Sequence, residues 1–293
     1  MDLTTIFQFI VIGINIGSIY GVVALGFNII YNSTGLLNLA QGEFVMLGGL
    51  VMVAMTTWLG IPMPIGFIIT VAIVTSVGIL FERLAIYPSR NSDIVTLIII
   101  TVGVSVLLKG VAMFIWGKDY YFLPSFTSKK YLNVLGASIN TQTLWVMGII
   151  LLVVVSLSLF FSKHIDGKAM LACQEDKEAS WLMGINVDRM ILSSFALSAC
   201  IGGVAGIVIT PITLMDYERG TELAIKGFAA AVIGGMGSGG GALLGGLLLG
   251  ILESLSAGMI SSQYKNVIAL SIFLIVLLVR PTGILGHPEI EKV

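Results

Sequence analysis

Apolar residues occupy this chain in long, unbroken blocks, with the polar residues gathered in the gaps between them. The clear blocks cover 6–31, 44–59, 64–81, 94–116, 142–162 and 190–213. Two glycine-rich apolar stretches follow, 224–237 and 239–259, and a last run covers 266–279. A hydrocarbon core about 30 Å thick takes about 20 apolar residues at 1.5 Å rise each, and several of these blocks reach that length. In lipid the backbone amides must pair within their own segment or around a closed barrel, and runs this long and continuous suit helices. The pattern predicts an all-α, polytopic membrane bundle of about 8–9 segments, in one domain spanning residues 1–293. The short 224–237 stretch is either a crossing or a re-entrant segment.

Composition sharpens this picture. The chain is 57% apolar and only 11% charged, where a soluble domain carries about 25% charged residues. A net charge of −1 leaves no basic stripe to neutralise phosphates, which argues against nucleic acid as a partner. Cys173 and Cys200 lie in unlike settings and form neither a disulfide framework nor a CxxC site. The start, MDLTTIFQFIVIGINIG, has no Lys or Arg before its apolar core and no small-residue cleavage site, so it reads as a retained first span.

Lys and Arg positions set the orientation. With the N-terminus outside, Arg83, Arg90, Lys163, Lys168, Lys177, Arg189, Arg280 and Lys292 are cytoplasmic. Lys118, Lys129, Lys130, Arg219 and Lys265 fall outside, and Lys109 and Lys226 sit within predicted spans. This arrangement requires 224–237 to cross; a re-entrant hairpin there would move the C-terminus to the other side.

The largest polar connection runs over about 163–190 and reads GKAMLACQEDKEASWLMGINVDRM from residue 167. Its centre has good helix formers and neither Gly nor Pro. Gly184 then stands where a helix ends in a positive-φ residue, and Asn186 is placed to cap the next helix with Asp188 in its first turn. The segment reads as helix, sharp turn, helix, a shape able to pass force to a partner. The alternative is an ordinary solvated loop. Glu178, Ala179 and Gly184 fit the E-A-A-x-x-x-G pattern by which permeases of ATP-driven importers dock their ATPase, with Ser180 in place of the second Ala and the downstream I-x-L-P half missing.

Three stretches in order, GLLNLAQGEFVMLGG (35–49), EDKEASWLMGINVDRMI (175–191) and GFAAAVIGGMGSGGGALLGGLLLGILES (227–254), resemble the H-type permease subunits of bacterial branched-chain amino acid importers. The resemblance covers nearly the whole chain. It implies a non-catalytic subunit in a bacterial inner membrane, working with a related permease, two ABC ATPase subunits and an extracytoplasmic binding protein. Glu178, Ala179, Gly184 and Asn186 would then couple to the ATPase. Independently, Gly117-Lys118-Asp119 and Gly167-Lys168-Ala169 lack the Ser or Thr that a P-loop places on magnesium, so no nucleotide cofactor is expected on this chain.

Glycines at four-residue spacing, Gly13, Gly17 and Gly21, Gly202 with Gly206, Gly241 with Gly245 and Gly246 with Gly250, suit close backbone packing in lipid. The run over 234–241 is different, because each glycine weakens a helix by about 1 kcal/mol relative to Ala. A break there would expose half-helix ends, where transporters place substrate groups. NLAQGEF has a similar layout. Asn38, Gln41 and Glu43, together with Gly234, Gly235, Gly237 and Ser238, are therefore expected to line a translocation path as two paired broken helices. The alternative makes the glycine run a tight loop. Of the ionisable groups in or near spans, Lys109 and Glu253 are expected to snorkel, Lys226 to pair with Glu222, and Glu43 to serve the path or its gate.

Two other classes were weighed. An intramembrane hydrolase would need a G-x-S-x-G serine, and Met236 stands where Ser238 needs a glycine. No H-E-x-x-H is present, and His164 and His287 flank spans. A gradient-driven carrier could use Glu43 or Glu253 as a proton site, which composition does not exclude. The favoured expectation is a permease for leucine, isoleucine and valine, with other amino acids, amides or urea as alternative cargo.

Overall fold

The computed structural model describes residues 3–127, 131–134, 137–259, 261–280 and 282–286. Lys129, Lys130, His287 and Lys292 lie outside the described residues. The chain opens with α1 (Leu3–Thr34), followed by a largely buried irregular segment, 35–40, and α2 (Gln41–Val53), which runs on through a π turn, Ala54–Trp58. Next come α3 (Met63–Phe81), continued by a π turn and a 3-10 turn to Ser89, and α4 (Ile94–Trp116). A short antiparallel hairpin, β1 (Tyr131–Val134) with β2 (Ala137–Asn140), leads into α5 (Thr141–Lys163). Then follow α6 (Ile165–Glu175), α7 (Lys177–Leu182), α8 (Val187–Ile209), α9 (Arg219–Gly234), α10 (Gly239–Met259) and α11 (Lys265–Val279).

Among the described residues the fold is thus helical apart from that one hairpin and an isolated bridge between Tyr121 and Met215. Six helices among the described residues are long and apolar enough to cross a membrane, at Thr5–Thr34, Met63–Ser89, Ile94–Trp116, Thr141–Lys163, Val187–Ile209 and Gly239–Met259. The remaining expected segments are shorter: α2 has 13 residues, α9 16 and α11 15.

Packing sorts these helices by depth. Every residue of α2 is buried, enclosed by α1, α3, α8 and α9. By contrast α4 and α5 turn Ile99, Val106, Phe114, Leu151 and Leu152 outward. Such apolar outward faces match a lipid surround, where no water is present to solvate polar groups. The most extensive seam joins α1 to α10. A Cβ added at Gly13 would lie 2.6 Å from Ile251 Cα, and one at Gly17 2.7 Å from the Gly246 carbonyl oxygen. The first-span glycine stripe therefore does what its spacing predicts, letting two backbones touch.

One end of the bundle collects the C-termini of α1, α3, α5 and α9 with α6, α7 and the N-terminus of α8. There Arg90 reaches Asp188 and Lys177 reaches the Thr34 carbonyl. At the opposite end Trp58 stacks on Trp116 and Gln142 bonds the Val208 carbonyl.

Candidate functional site

Two helices begin inside the bundle rather than at its ends. Gln41, the first residue of α2, sits against Gly26 of α1 and Ser198 of α8; Ser198 is 11 residues into its helix, about 16 Å from that end. The first turn of α9 is similarly inset. Thr221 meets Lys109 of α4, seven residues before Trp116 and so about 10 Å below that helix end. The two N-termini face each other, with Gly42 packed on the Gly220 carbonyl and Ala224. Neither carries a side-chain cap.

Glu43 stands at this junction with 0% exposure. Its Oε1 accepts from the Ser105 hydroxyl (2.9 Å) and the Thr221 hydroxyl (3.2 Å), and Lys109 Nζ donates to Thr221 Oγ1 (3.2 Å). Among the described residues Glu43 Oε2 has no hydrogen-bond partner, and it points at Gly220. A carboxylate in the first turn of one helix and beside the first turn of another is favoured by both positive dipole ends. Gln41 is held differently: its Oε1 accepts from Ser198 Oγ (2.6 Å), which also bonds the Gly26 carbonyl (2.9 Å). Asn38 Oδ1 accepts from the Ala40 amide (3.1 Å), while its buried Nδ2 has no partner among the described residues.

A second buried ionic group lies nearby on α9. Lys226 Nζ is 2.7 Å from Glu253 Oε1 and 3.0 Å from the Tyr20 hydroxyl, and that hydroxyl donates to Glu253 Oε2 (2.9 Å). The expected pairing of Lys226 with Glu222 is present at 3.3 Å, but Glu253 is the closer partner. Two expectations are corrected here. Glu253 does not snorkel, because it is buried against a cation from α9. Lys109 does not snorkel either, because Thr221 gives its ammonium a partner inside. Arg219, placed by sequence in an exterior loop, is the first residue of α9 and pairs with Glu222 at 2.6 Å.

The glycine run is also corrected. Gly234, Gly235, Gly237 and Ser238 form a tight turn between α9 and α10, with φ of +107° at Gly235 and +86° at Gly237. Asn28 donates to the Ser238 carbonyl (2.9 Å) and Asn32 to the Gly237 carbonyl (3.1 Å), while Ser238 Oγ accepts from the Gly241 amide (3.1 Å). The tail closes over this turn, with Ile284 N bonded to Ile233 O and Leu285 N to Gly234 O, both at 2.9 Å. Asn28 lies about 200° around α1 from Gly26, which faces Gln41, so the two expected half-helices sit on opposite sides of α1 and do not pair. The helix that does face α2 end to end is α9, through its first turn. Ser105 and Thr221 escaped notice in the sequence. Ser105 and Lys109 sit four residues apart on one face of an otherwise apolar span, and that spacing was the available signal.

At the α6–α7 end, Gly184 has a φ of +86° and Asn186 Oδ1 accepts from the Arg189 amide (3.0 Å), as the sequence predicts. The single helix expected before the turn is broken at Asp176, whose carboxylate accepts from the amides of Glu178 (2.9 Å) and Ala179 (3.0 Å). An aspartate that can cap competes with its own helix, and here capping wins. Met170 and Cys173 root α6 in a cluster with Met190, and burial pushes the Cys173 thiol up. Arg90 donates to both Asp188 oxygens (2.8 and 2.7 Å), which holds the guanidinium protonated to still higher pH than usual. Glu178, Ala179, Trp181, Leu182 and Met183 are all exposed, and Trp181 lines a groove with Gly184, Asn186 and Asp188 at the start of α8.

Internally started helices and a polar junction inside an apolar shell fit a membrane transport protein. Residues 9–277 match the family model for the branched-chain amino acid transport system permease component. The chain is 35% identical to the high-affinity branched-chain amino acid transport system permease protein LivH of Escherichia coli (strain K12), over 96% of each chain. It is 32% identical to the corresponding permease protein BraD of Pseudomonas aeruginosa, covering 98% of this chain and 97% of BraD. Among solved structures, PsaBC from Streptococcus pneumoniae in complex with Fab shares the fold, with a TM-score of 0.51 at 17% identity over 94% of this chain and 93% of that one. The chain belongs to the branched-chain amino acid transport system permease family.

Proposed function

We propose that this protein is the membrane permease subunit of a binding-protein-dependent ABC importer that carries leucine, isoleucine and valine across the inner membrane. The observation that carries this reading is end-to-end similarity to permeases of such systems, at 35% identity over 96% of both chains. The partners are a second, related permease, two ABC ATPase subunits and an extracytoplasmic binding protein. ATP is hydrolysed on the ATPases.

In this reading the chain crosses nine times, through α1–α5 and α8–α11, with its N-terminus outside. The crossings of α2 and α9 are completed by the irregular segments 35–40 and 210–218, so 224–237 crosses rather than re-enters. Asn38, Gln41 and Glu43 line the translocation path near its middle. Gly234, Gly235, Gly237 and Ser238 close the cytoplasmic end of the α9–α10 pair. The 163–190 segment is the lever: Glu178, Ala179 and the exposed rim at Trp181–Met183 meet the ATPase, and Gly184 with Asn186 fixes the bend that passes its motion to α8.

Purified complexes in proteoliposomes test the reading. ATP-dependent uptake of leucine is expected only when binding protein and ATPases are present. Uptake by this chain alone under a proton gradient would defeat it, and a different ligand on the copurifying binding protein would change the cargo. Glu178→Lys and Gly184→Pro are expected to uncouple ATP hydrolysis from uptake with membrane insertion intact. Coupled transport at the native rate in both would remove the lever from the mechanism.

A further inference from the structure

We infer that the junction of α2 with α9 is the site that recognises the charged head group of a zwitterionic α-amino acid, with Glu43 taking the ammonium and Lys109 the carboxylate. This rests on the importer reading above and assigns that path its recognition chemistry.

The first support is the separation of charge. Glu43 and Lys109 carry opposite charges at mid-depth, yet they do not pair directly. Each is 3.2 Å from the Thr221 hydroxyl, which stands between them. Opposite charges in a low-dielectric setting ordinarily collapse into contact, as Lys226 and Glu253 do at 2.7 Å in the same protein. A pair kept one hydroxyl apart is spaced to receive a group that is itself a dipole of the same size.

The second support is an unfilled valence. Glu43 Oε2 is fully buried and has no partner among the described residues, although a carboxylate accepts about four hydrogen bonds. An ammonium brings three donors. Oε2 packs directly against Gly220, where an added Cβ would collide with it. The third support is on the anion side. The first turns of α2 and α9 converge here without side-chain caps, so two positive dipole ends add to Lys109 as a seat for a carboxylate. Among the described residues named at the junction, the polar groups address the head group and not an aliphatic side chain. The junction would therefore pass leucine, isoleucine and valine alike and leave choice among them to the binding protein.

The test uses the purified transporter complex in lipid nanodiscs without its binding protein. Displacement of labelled L-leucine is measured with L-leucine, with leucinamide, which keeps the ammonium and lacks the carboxylate, and with 4-methylpentanoate, which keeps the carboxylate and lacks the ammonium. The wild type is expected to prefer L-leucine at least tenfold over both. Glu43→Gln should abolish the preference over 4-methylpentanoate and keep that over leucinamide; Lys109→Gln should do the reverse. Glu43→Asp and Lys109→Arg retain the charges and should restore each preference with weaker binding, which separates recognition from a folding defect. Equal loss for all three ligands, native preferences in both Gln variants, or no leucine binding by wild type that still imports leucine overturns the assignment alone. A wild-type complex that imports no branched-chain amino acid overturns the reading beneath it.

Discussion

Two buried ionic groups share α9, and they are built on opposite plans. Lys226, Glu253 and Tyr20 form a closed triangle in which each polar atom meets a partner within 3.0 Å, tying α9 to α10 and α1. Glu43, Ser105, Thr221 and Lys109 form an open chain in which the Thr221 hydroxyl stands between the charges, the Ser105 hydroxyl bonds Glu43 from the side, and one carboxylate oxygen faces a glycine. In a medium of low dielectric the closed group is a weld, because desolvating either ion alone is costly. The open group forgoes that attraction, which makes sense only where the charges have other work. Burial of a charge in a span therefore does not identify function by itself; how its partners are arranged has to be weighed as well.

The contrast predicts a graded set of losses. Lys226→Met leaves the buried Glu253 carboxylate without its cation and should lower stability by about 3–5 kcal/mol, read as unfolding of the purified protein. Adding Glu253→Gln to Lys226→Met should recover a good part of that loss. If Lys226→Met unfolds like wild type, the triangle is not a weld. Thr221→Val removes the hydroxyl between the open charges and should cost about 1–3 kcal/mol, while leucine uptake falls by much more than stability alone explains. Uptake that merely tracks stability would erase the distinction between the two groups. Asn186→Ala lies outside both and removes one helix cap; it should cost about 1 kcal/mol and sets the scale of an ordinary exposed hydrogen bond here.

Much of this fold is legible in the sequence because lipid imposes a long, uniform signal. The block at 94–116 coincides with α4 to the residue, and Gly184 and Asn186 announce the end of one helix and the start of the next. The glycine stripe of the first span likewise foretells its seam with α10. What could not be read is which buried groups meet. Glu43 and Thr221 are 178 positions apart and Tyr20 and Glu253 are 233 apart, so no local spacing links them. The glycine run misled for a related reason: weak helix formers mark a break but not its depth. Depth here is set by Asn28, Asn32 and the tail, all remote in sequence. Asp176 misled in the other direction, since composition favours one helix and a single capping carboxylate divides it.

The tail has a consequence for how this protein is made. The carbonyls of Ile233 and Gly234, left open where α9 ends, receive their amides from Ile284 and Leu285 some fifty residues later. On the ribosome, α9 and α10 are synthesised before those donors. Sealing of that corner is thus among the final acts of biogenesis, and a transcript cut short before codon 284 would yield every helix yet leave this one joint permanently unlatched.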